Sequence, residues 1–119
     1  MSTWSSIFKE LNESKVDVYP PATKQGECIA PYTVVKQDGS AQAGTFSSEY
    51  VYYQFMLYVP QNAYDKLDAY EKEVKEILAK KLRPWLMPTG SNMPDYYDDT
   101  IKAHMRSFVY RNNVRNEHL

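Results

Sequence analysis

The amino-acid sequence predicts an α+β domain, a mainly antiparallel sheet of about four strands with a long helix and a short N-terminal helix packed on it. Two observations lead to this fold class. The strongest strand pattern, Ser48 to Val59, is followed by an apolar helical period over about Ala63 to Leu82. The element order is helix, strands, long helix and strand, for which a sheet with its helices on one face is the economical packing. The 119 residues fit a single domain over 1–119, with 112–119 as a polar C-terminal tail.

The first elements are a short helix and two strands. Val16 to Tyr19 reads as a brief strand that ends at consecutive prolines, and Glu27 to Lys36 reads as a second strand because it is rich in β-branched and aromatic residues. Proline cannot donate to a ladder, so the second strand should lie at an edge or begin near Pro31. Turn residues and glycines predict a flexible loop over Gln37 to Ser47. The helix is predicted from four apolar side chains on one helical face, which are Trp4, Ile7, Phe8 and Leu11.

The third strand, Ser48 to Val59, is unusual because both of its faces are apolar or aromatic, whereas a half-buried strand should alternate apolar and polar residues. A contiguous aromatic patch left in water would exceed what monomers usually tolerate. The sequence leaves two alternatives for what covers the second face, namely the N-terminal helix or a neighbouring subunit. The first face carries Val51, Tyr53, Phe55, Leu57 and Val59, and the second carries Tyr50, Tyr52, Gln54, Met56 and Tyr58.

The C-terminal half begins with the long helix, for which Asn62 is the expected N-cap. Leu82 to Met93 is predicted as a connection punctuated by proline and glycine, and it carries Trp85 with three other large apolar residues. The last strand covers about Thr100 to Arg111. The solvated face of the helix offers ion pairs at i, i+4 spacing, which are Asp68–Lys72, Glu71–Lys75 and Glu76–Lys80.

Composition excludes several functional classes. A net charge of −1 gives no electrostatic argument for nucleic acid, and no polybasic run favours a membrane surface. No apolar run reaches the ~18 residues that a membrane span needs. A single cysteine and an N-terminus without a basic and apolar signal lead us to expect a soluble protein that is made and kept in a cytoplasm. The 11 tyrosines suit partly buried surfaces and interfaces.

Candidate catalytic and metal-binding residues are few. Cys28, His104 and His118 are too few soft ligands for a tetrahedral zinc site, and Cys28 reads as a small buried apolar residue. The acidic group Asp95, Asp98 and Asp99 reads as a solvated loop rather than an acid–base or Mg²⁺ site. We therefore expect no catalytic set, cofactor or metal. The alternative is a small α+β enzyme or ligand-binding domain.

The site of that alternative would lie between the second face of the third strand and three further residues, which are Tyr96, Asp98 and His104.

The chain resembles the small tail proteins of long-tailed phages, in the tail-terminator or tail-completion group, and its element order is similar to the lambda-type terminator fold. Four segments in order carry this resemblance over nearly the whole chain. They are Val18-Tyr19-Pro20-Pro21, Gln25-Gly26-Glu27-Cys28 with Pro31 to Lys36, the strand–helix unit Tyr52 to Leu82, and Tyr96-Tyr97-Asp98-Asp99 with Lys102 to Arg106 and Tyr110-Arg111.

The resemblance implies a non-enzymatic structural protein without a cofactor. Such a subunit forms a homo-hexameric ring that caps the tail tube, ends tail polymerisation and provides the surface for joining the head. The implied partners are other copies of the chain, the tail tube protein and a head–tail connector or neck protein. Specific nucleic-acid binding is not implied, although the ring lumen passes DNA.

The implied location is the neck end of the tail in the virion, after assembly in the bacterial host cytoplasm. Headless phage-tail-like bacteriocins contain related chains, and a head-completion or neck adaptor remains a neighbouring alternative. The expected subunit interface consists of aromatic, methionine and arginine residues on the strands and in the connection. These are Tyr50, Tyr52, Met56, Tyr58, Trp85, Arg106 and Tyr110.

Overall fold

The computed structural model describes residues 3–42 and 48–115 and shows the α+β fold that the sequence predicts. Five strands form one sheet in the order β1-β2-β3-β5-β4, in which β1 pairs in parallel with β2 and the other pairs are antiparallel. In chain order the elements are α1 (Thr3–Glu13), β1 (Val18–Tyr19), β2 (Tyr32–Gln42), β3 (Ser48–Pro60), a 3₁₀ turn (Tyr64–Lys66), α2 (Leu67–Leu82), β4 (Leu86–Asp98) and β5 (Ala103–Arg115).

The core lies between one face of the sheet and the two helices. The ring of Phe55, at the centre of β3, stacks on Phe108 of β5 with centroids 5.4 Å apart. Trp4 of α1 stacks on Tyr53 of the same sheet face, which places α1 beside α2 on that face. Residues that share the apolar stripes of both helices are fully buried there, namely Ile7, Leu11, Leu67, Val74 and Leu78. The predicted stripes of both helices are therefore confirmed.

The second face of β3 has no helix over it. Because α1 and α2 both pack on the face of Phe55, the N-terminal helix does not cover the face of Tyr52 and Met56, which excludes the first of the two alternatives. Side chains along β3 alternate strictly, so that Val51 to Val59 are buried at every second residue and the residues between them are half-buried. The sheet thus has one helix-covered face and one open face.

The sequence prediction missed one strand, β4, so the sheet has five strands rather than about four. The stretch from Leu82 to Met93 was expected as a connection, but Leu86–Asp98 pairs with β5 at the outer edge of the sheet. An edge strand needs hydrogen bonds on one side only, so it tolerates Pro88 and Pro94. The pairing register shifts twice, between Pro88 and Asn92 and between Met93 and Tyr96. Because of these bulges, the sequence of β4 does not show the period-2 alternation of apolar and polar residues that identifies a strand.

Several predicted boundaries also differ. The second strand begins at Tyr32 rather than Glu27, and it continues through Gln42, so residues 37–42 are strand rather than loop. Gly39, with φ +95, lies where the register of β2 shifts against β3. Residues 43–47 of the predicted loop lie outside the described residues. Residues 112–115 of the predicted tail belong to β5, and 116–119 also lie outside the described residues.

The long helix begins differently from the prediction as well. A 3₁₀ turn, Tyr64–Lys66, precedes α2, and no side-chain hydrogen bond caps either element at its start, so Asn62 is not the N-cap. At the other end Arg83 is extended before Pro84, which ends the helix as the sequence predicts. Of the three i, i+4 pairs expected on α2, Glu71–Lys75 forms at 2.7 Å, whereas Asp68 pairs with Arg106 instead.

Candidate interaction surface

The open face is the sheet surface opposite the two helices, and it combines aromatic, methionine and cationic side chains. Cross-strand register and alternation define its members, because partners across an antiparallel pair share a face. It is formed by Val34, Lys36, Tyr50, Tyr52, Gln54, Met56, Tyr58, Met87, Met93, Tyr96, Met105, Val109 and Arg111. Most of these side chains are half-buried, and Met93 and Tyr96 are exposed.

A strap, residues 20–31, covers the lower end of the open face, where Tyr58 pairs with Met105. Its anchor is Cys28, which is buried together with Tyr32 and Ala103. The Cys28 backbone N–H donates to the carbonyl of Ile101 at 2.7 Å. Burial raises the pKa of the Cys28 thiol and raises the pKa of Tyr32 to about 12. Cys28 is therefore a packed apolar anchor, as the sequence suggests, and burial disfavours its thiolate.

The upper half of the open face, around Tyr52 and Arg111, has no such cover within the described residues. The Arg111 guanidinium lies over the ring of Tyr50, 4.3 Å from its centroid. Tyr50 and Tyr52 are neighbours with ring centroids 6.5 Å apart. Protein–protein interfaces are enriched in tyrosine, methionine and arginine, because tyrosine and arginine join a large contact area to a polar group and methionine adapts its flexible apolar side chain to the partner. The upper half therefore has the composition of a contact surface.

The seven residues expected at the subunit interface do not form one surface. Tyr50, Tyr52, Met56 and Tyr58 lie together on the open face. Trp85 directly precedes β4 and is 67% exposed.

The other two expected interface residues lie on the helix-covered face. Tyr110 is only 5% exposed and packs against Phe55 and Phe108 in the core. Arg106 faces the start of α2. These two side chains are not accessible from the open face, so they drop out of the candidate surface.

Arg106 is the centre of an ionic group, the arginine cluster, with Asp68, Glu71 and Asp95. Its Nε and Nη2 atoms donate to the two carboxylate oxygens of Asp95, both at 2.8 Å. Its Nη1 atom donates to Asp68 at 2.5 Å and to Glu71 at 2.9 Å. The cluster thereby ties β5 to the outer strand β4 and to the first turns of α2.

The geometry of the arginine cluster explains the pKa shifts of its members. The hydrogen bonds from Arg106 are the main reason that the pKa of Asp95 falls to about 2, and the hydrogen bonds with Asp95 raise the pKa of Arg106. Partial burial opposes the ionisation of Glu71, but hydrogen bonds from Lys75 and Arg106 outweigh it and lower its pKa. The second bulge of β4 sets Asp95 opposite Arg106, which the sequence did not indicate. One signal was available: alternation put Arg106 on the same face of the last strand as Phe108 and Tyr110.

An aromatic knob projects beside the arginine cluster and consists of Tyr64, His104 and Tyr97. The His104 ring lies between the two tyrosine rings, with centroids 4.7 Å and 5.0 Å away. The hydroxyl of Tyr64 donates to Asp95 at 2.6 Å, and that of Tyr97 donates to the side chain of Gln61 at 3.2 Å. Tyr64 is nevertheless 49% exposed and Tyr97 is 38% exposed. The knob is thus a fixed group of rings that faces solvent.

The residues of the alternative enzyme site are not brought together. Tyr96 lies on the open face, whereas His104 lies on the opposite face, within the aromatic knob. Asp98 accepts hydrogen bonds from the backbone N–H and the hydroxyl of Thr100, at 3.0 Å and 2.6 Å, and so fixes the turn before β5. His118 lies outside the described residues.

Metal and membrane sites were also sought in the described part of the chain. Among residues 3–42 and 48–115, no three histidine, cysteine or carboxylate side chains are grouped as a metal site requires. None of the helices in these ranges has the length and apolar character needed to span a bilayer.

Comparison with known proteins adds no family assignment. No family model matches the chain, and no curated protein is similar to it.

Proposed function

We propose that this chain is a structural subunit that assembles into a ring, and that the ring caps a phage-type tail tube, ends its polymerisation and offers a joining surface to the head or neck. The observation that carries the proposal is the open face, a sheet surface rich in tyrosine and methionine that neither helix covers. A large apolar surface of this kind on a soluble chain marks a contact site.

Chemical composition supports assembly over catalysis as the use of this surface. The half-buried tyrosines and methionines can lose their remaining accessible area to a partner without leaving a charge unpaired. Tyr96 and His104, the two residues an enzyme site would share, lie on opposite faces of the sheet. The ring, the tube and the location at the neck end of the virion come from the resemblance of the sequence to tail terminators. Assembly in the host cytoplasm belongs to the same proposal.

The direct test changes the open face and follows the state of assembly. Tyr52→Glu and Met56→Glu each place a carboxylate in the proposed contact, where desolvating it on assembly is costly. We expect both variants to remain folded monomers under conditions in which the wild-type chain forms rings by native mass spectrometry. Lys72→Glu, which changes an exposed side chain on the solvated face of α2, is the matched control and should assemble normally. Rings formed by both open-face variants would contradict the use of this face.

Tail tubes test the capping role separately, since some ring proteins assemble only on their partner. Electron micrographs of purified tubes mixed with the wild-type chain should show rings at one tube end. A chain that forms no ring and binds no tube would overturn the proposed function. Deletion of the gene then separates two neighbouring roles: overlong tails indicate a terminator, whereas normal tails beside unjoined heads indicate a neck adaptor.

A further inference from the structure

A ring closed by head-to-tail contacts needs two different surfaces on each subunit, because surface A of one copy meets surface B of the next. The proposed function supplies the open face as one surface, and the inference here rests on it. We propose that the second surface is the aromatic knob together with the two acidic residues beside it, Asp65 and Asp99, and that it docks on the upper open face of the neighbouring copy.

The knob has the physical character of a binding anchor. Its tyrosine rings present a large apolar area to solvent, but their hydroxyls are already bonded to Asp95 and Gln61. Contacts on both sides of His104 further restrict them. A rigid ring loses little conformational entropy when it is buried by a partner, which is why pre-organised tyrosines dominate many contacts. Arg106 acts here as a positioning residue, because it holds Asp95, which in turn holds Tyr64.

Charges on the two surfaces are complementary. Asp65 follows Tyr64, and Asp99 follows the strand that carries Tyr97; both are exposed, and neither has a cation within ion-pair distance in the described part of the chain. Among the side chains that the structure describes on the upper open face, Lys36 and Arg111 are cations. Lys36 lies 3.9 Å from Asp38, and no described carboxylate lies within ion-pair distance of Arg111. Each surface therefore carries charge that the other can neutralise.

A second copy is the occupant that these charges favour. The knob combines exposed rings with exposed acids that follow them closely in the chain, and this is the chemistry that a tyrosine-rich face bordered by cations would take. The knob cannot reach the open face of its own chain, because it lies on the opposite side of the sheet. The C-terminal end of α2 does not suit the same face, because its basic residues Lys80, Lys81 and Arg83 would repel Arg111.

Two charge-reversed variants test the pairing. The acid-reversed variant carries Asp65→Lys with Asp99→Lys, and the face-reversed variant carries Lys36→Glu with Arg111→Glu. Each alone should lose ring formation, with a subunit dissociation constant raised at least ~30-fold. In an equimolar mixture the two variants can alternate, so that each basic knob meets an acidic face and each acidic knob meets a basic face, and rings with an even number of subunits should form. A single chain with all four changes also restores complementarity and should form rings again.

A second pair of variants tests the head-to-tail geometry without charge exchange. Tyr97→Ala removes one knob ring and should also raise the dissociation constant at least ~30-fold, and Met56→Glu blocks the open face. Each of these chains keeps one intact surface, so their mixture should form a one-to-one dimer and nothing larger, because no further intact pair remains. Native mass spectrometry reads this result directly.

Lys80→Glu with Lys81→Glu is the matched control, since it reverses two exposed lysines at the end of α2 and should leave the rings intact. Circular dichroism melting of every variant confirms that the monomer is folded. Where the wild-type chain forms rings only on tail tubes, the fraction of capped tubes replaces the ring count.

Ring formation by the acid-reversed variant, or no recovery in the fourfold variant, would overturn the pairing while leaving the proposed ring intact. A wild-type chain that forms no ring and caps no tube would instead overturn the proposed function.

Discussion

Side chains alternate in the same way towards both faces of the sheet, but the helices cover only one of these faces. On β3, Phe55, Leu57 and Val59 are 0% exposed beneath the helices, whereas Met56 and Tyr58, the residues between them, stay half-buried on the open face. Apart from Tyr53, the covered side of β3 carries valine, leucine and phenylalanine, which are most favourable when fully buried. The open face uses tyrosine, methionine and glutamine, which accept either water or a partner. Residue type, rather than periodicity, therefore separates the two faces.

The largest expected effect comes from placing the same charge on each side of one strand. Leu57→Glu buries an unpaired carboxylate beneath the helices and should cost about 4 kcal/mol or more, enough to unfold the chain at ambient temperature. Met56→Glu changes the adjacent residue on the open face and should cost about 1 kcal/mol or less, since its carboxylate stays in contact with water. Urea melts followed by circular dichroism measure both values. Equal losses in the two variants would erase the distinction between the faces.

A smaller effect is expected at the arginine cluster, on the helix-covered side. Arg106→Met keeps the length of the side chain but removes the guanidinium donors, which leaves Asp95 with Tyr64 and Glu71 with Lys75, so we expect a loss of about 2 kcal/mol at neutral pH. Lys81→Met, a change at an exposed lysine, is the control and should be nearly neutral.

The pH dependence of the stability loss in Arg106→Met follows from the pKa of Asp95. Its pKa is about 2 in the folded chain, below the ordinary 3.8, so its contribution is fully present above pH 3.8 and is lost as the pH falls through the folded value. The stability gap between wild type and Arg106→Met should therefore be widest above pH 4 and should narrow towards pH 2. Urea midpoints measured at pH 7, 4 and 2.5 would show it, and a gap that widens with acid would contradict this role of Arg106.

The smallest effect concerns Ser107, which lies on the open face between Met56 and Met93 in register, where its small side chain is fully buried. Its hydroxyl is buried and has no hydrogen-bond partner in the described structure. Ser107→Ala removes that unsatisfied group and should raise the free energy of unfolding by about 1 kcal/mol, with assembly unchanged. A clear destabilisation would mean that the hydroxyl is satisfied after all. Thermal melting against wild type gives the sign.

The sequence was sufficient for the elements with strong periodicity. The stripe of Ile7 and Leu11 predicted α1, the two-faced pattern of Ser48 to Val59 predicted β3, and both are confirmed. The sequence also indicated that the second face of β3 needs a cover. It could not say which cover, because a helix and a partner subunit both require apolar residues, and only the position of α1 excludes the helix.

Other features depend on tertiary contacts that leave little local signal. The strand β4 carries two prolines and two register shifts, so its alternation is broken at the places where a pattern would be read. Asp95 looked like one member of an acidic loop, yet the second bulge turns it towards Arg106 and Tyr64. Tyr64 is far in sequence from Tyr97 and His104, and the knob exists only because the 3₁₀ turn meets the lower ends of β4 and β5.

The irregular outer strand has one more consequence. An edge strand with a free row of donors and acceptors is a template on which further chains can add strands without limit. In β4, Pro88 and Pro94 have no N–H to offer, and the two bulges keep the remaining groups out of line. The other edge is shielded at its base by β1, which pairs with Thr33 and Val34. Fibrous stacking is thereby discouraged at the outer edge, so the proposed ring would form through side-chain contacts, which can specify a finite number of copies.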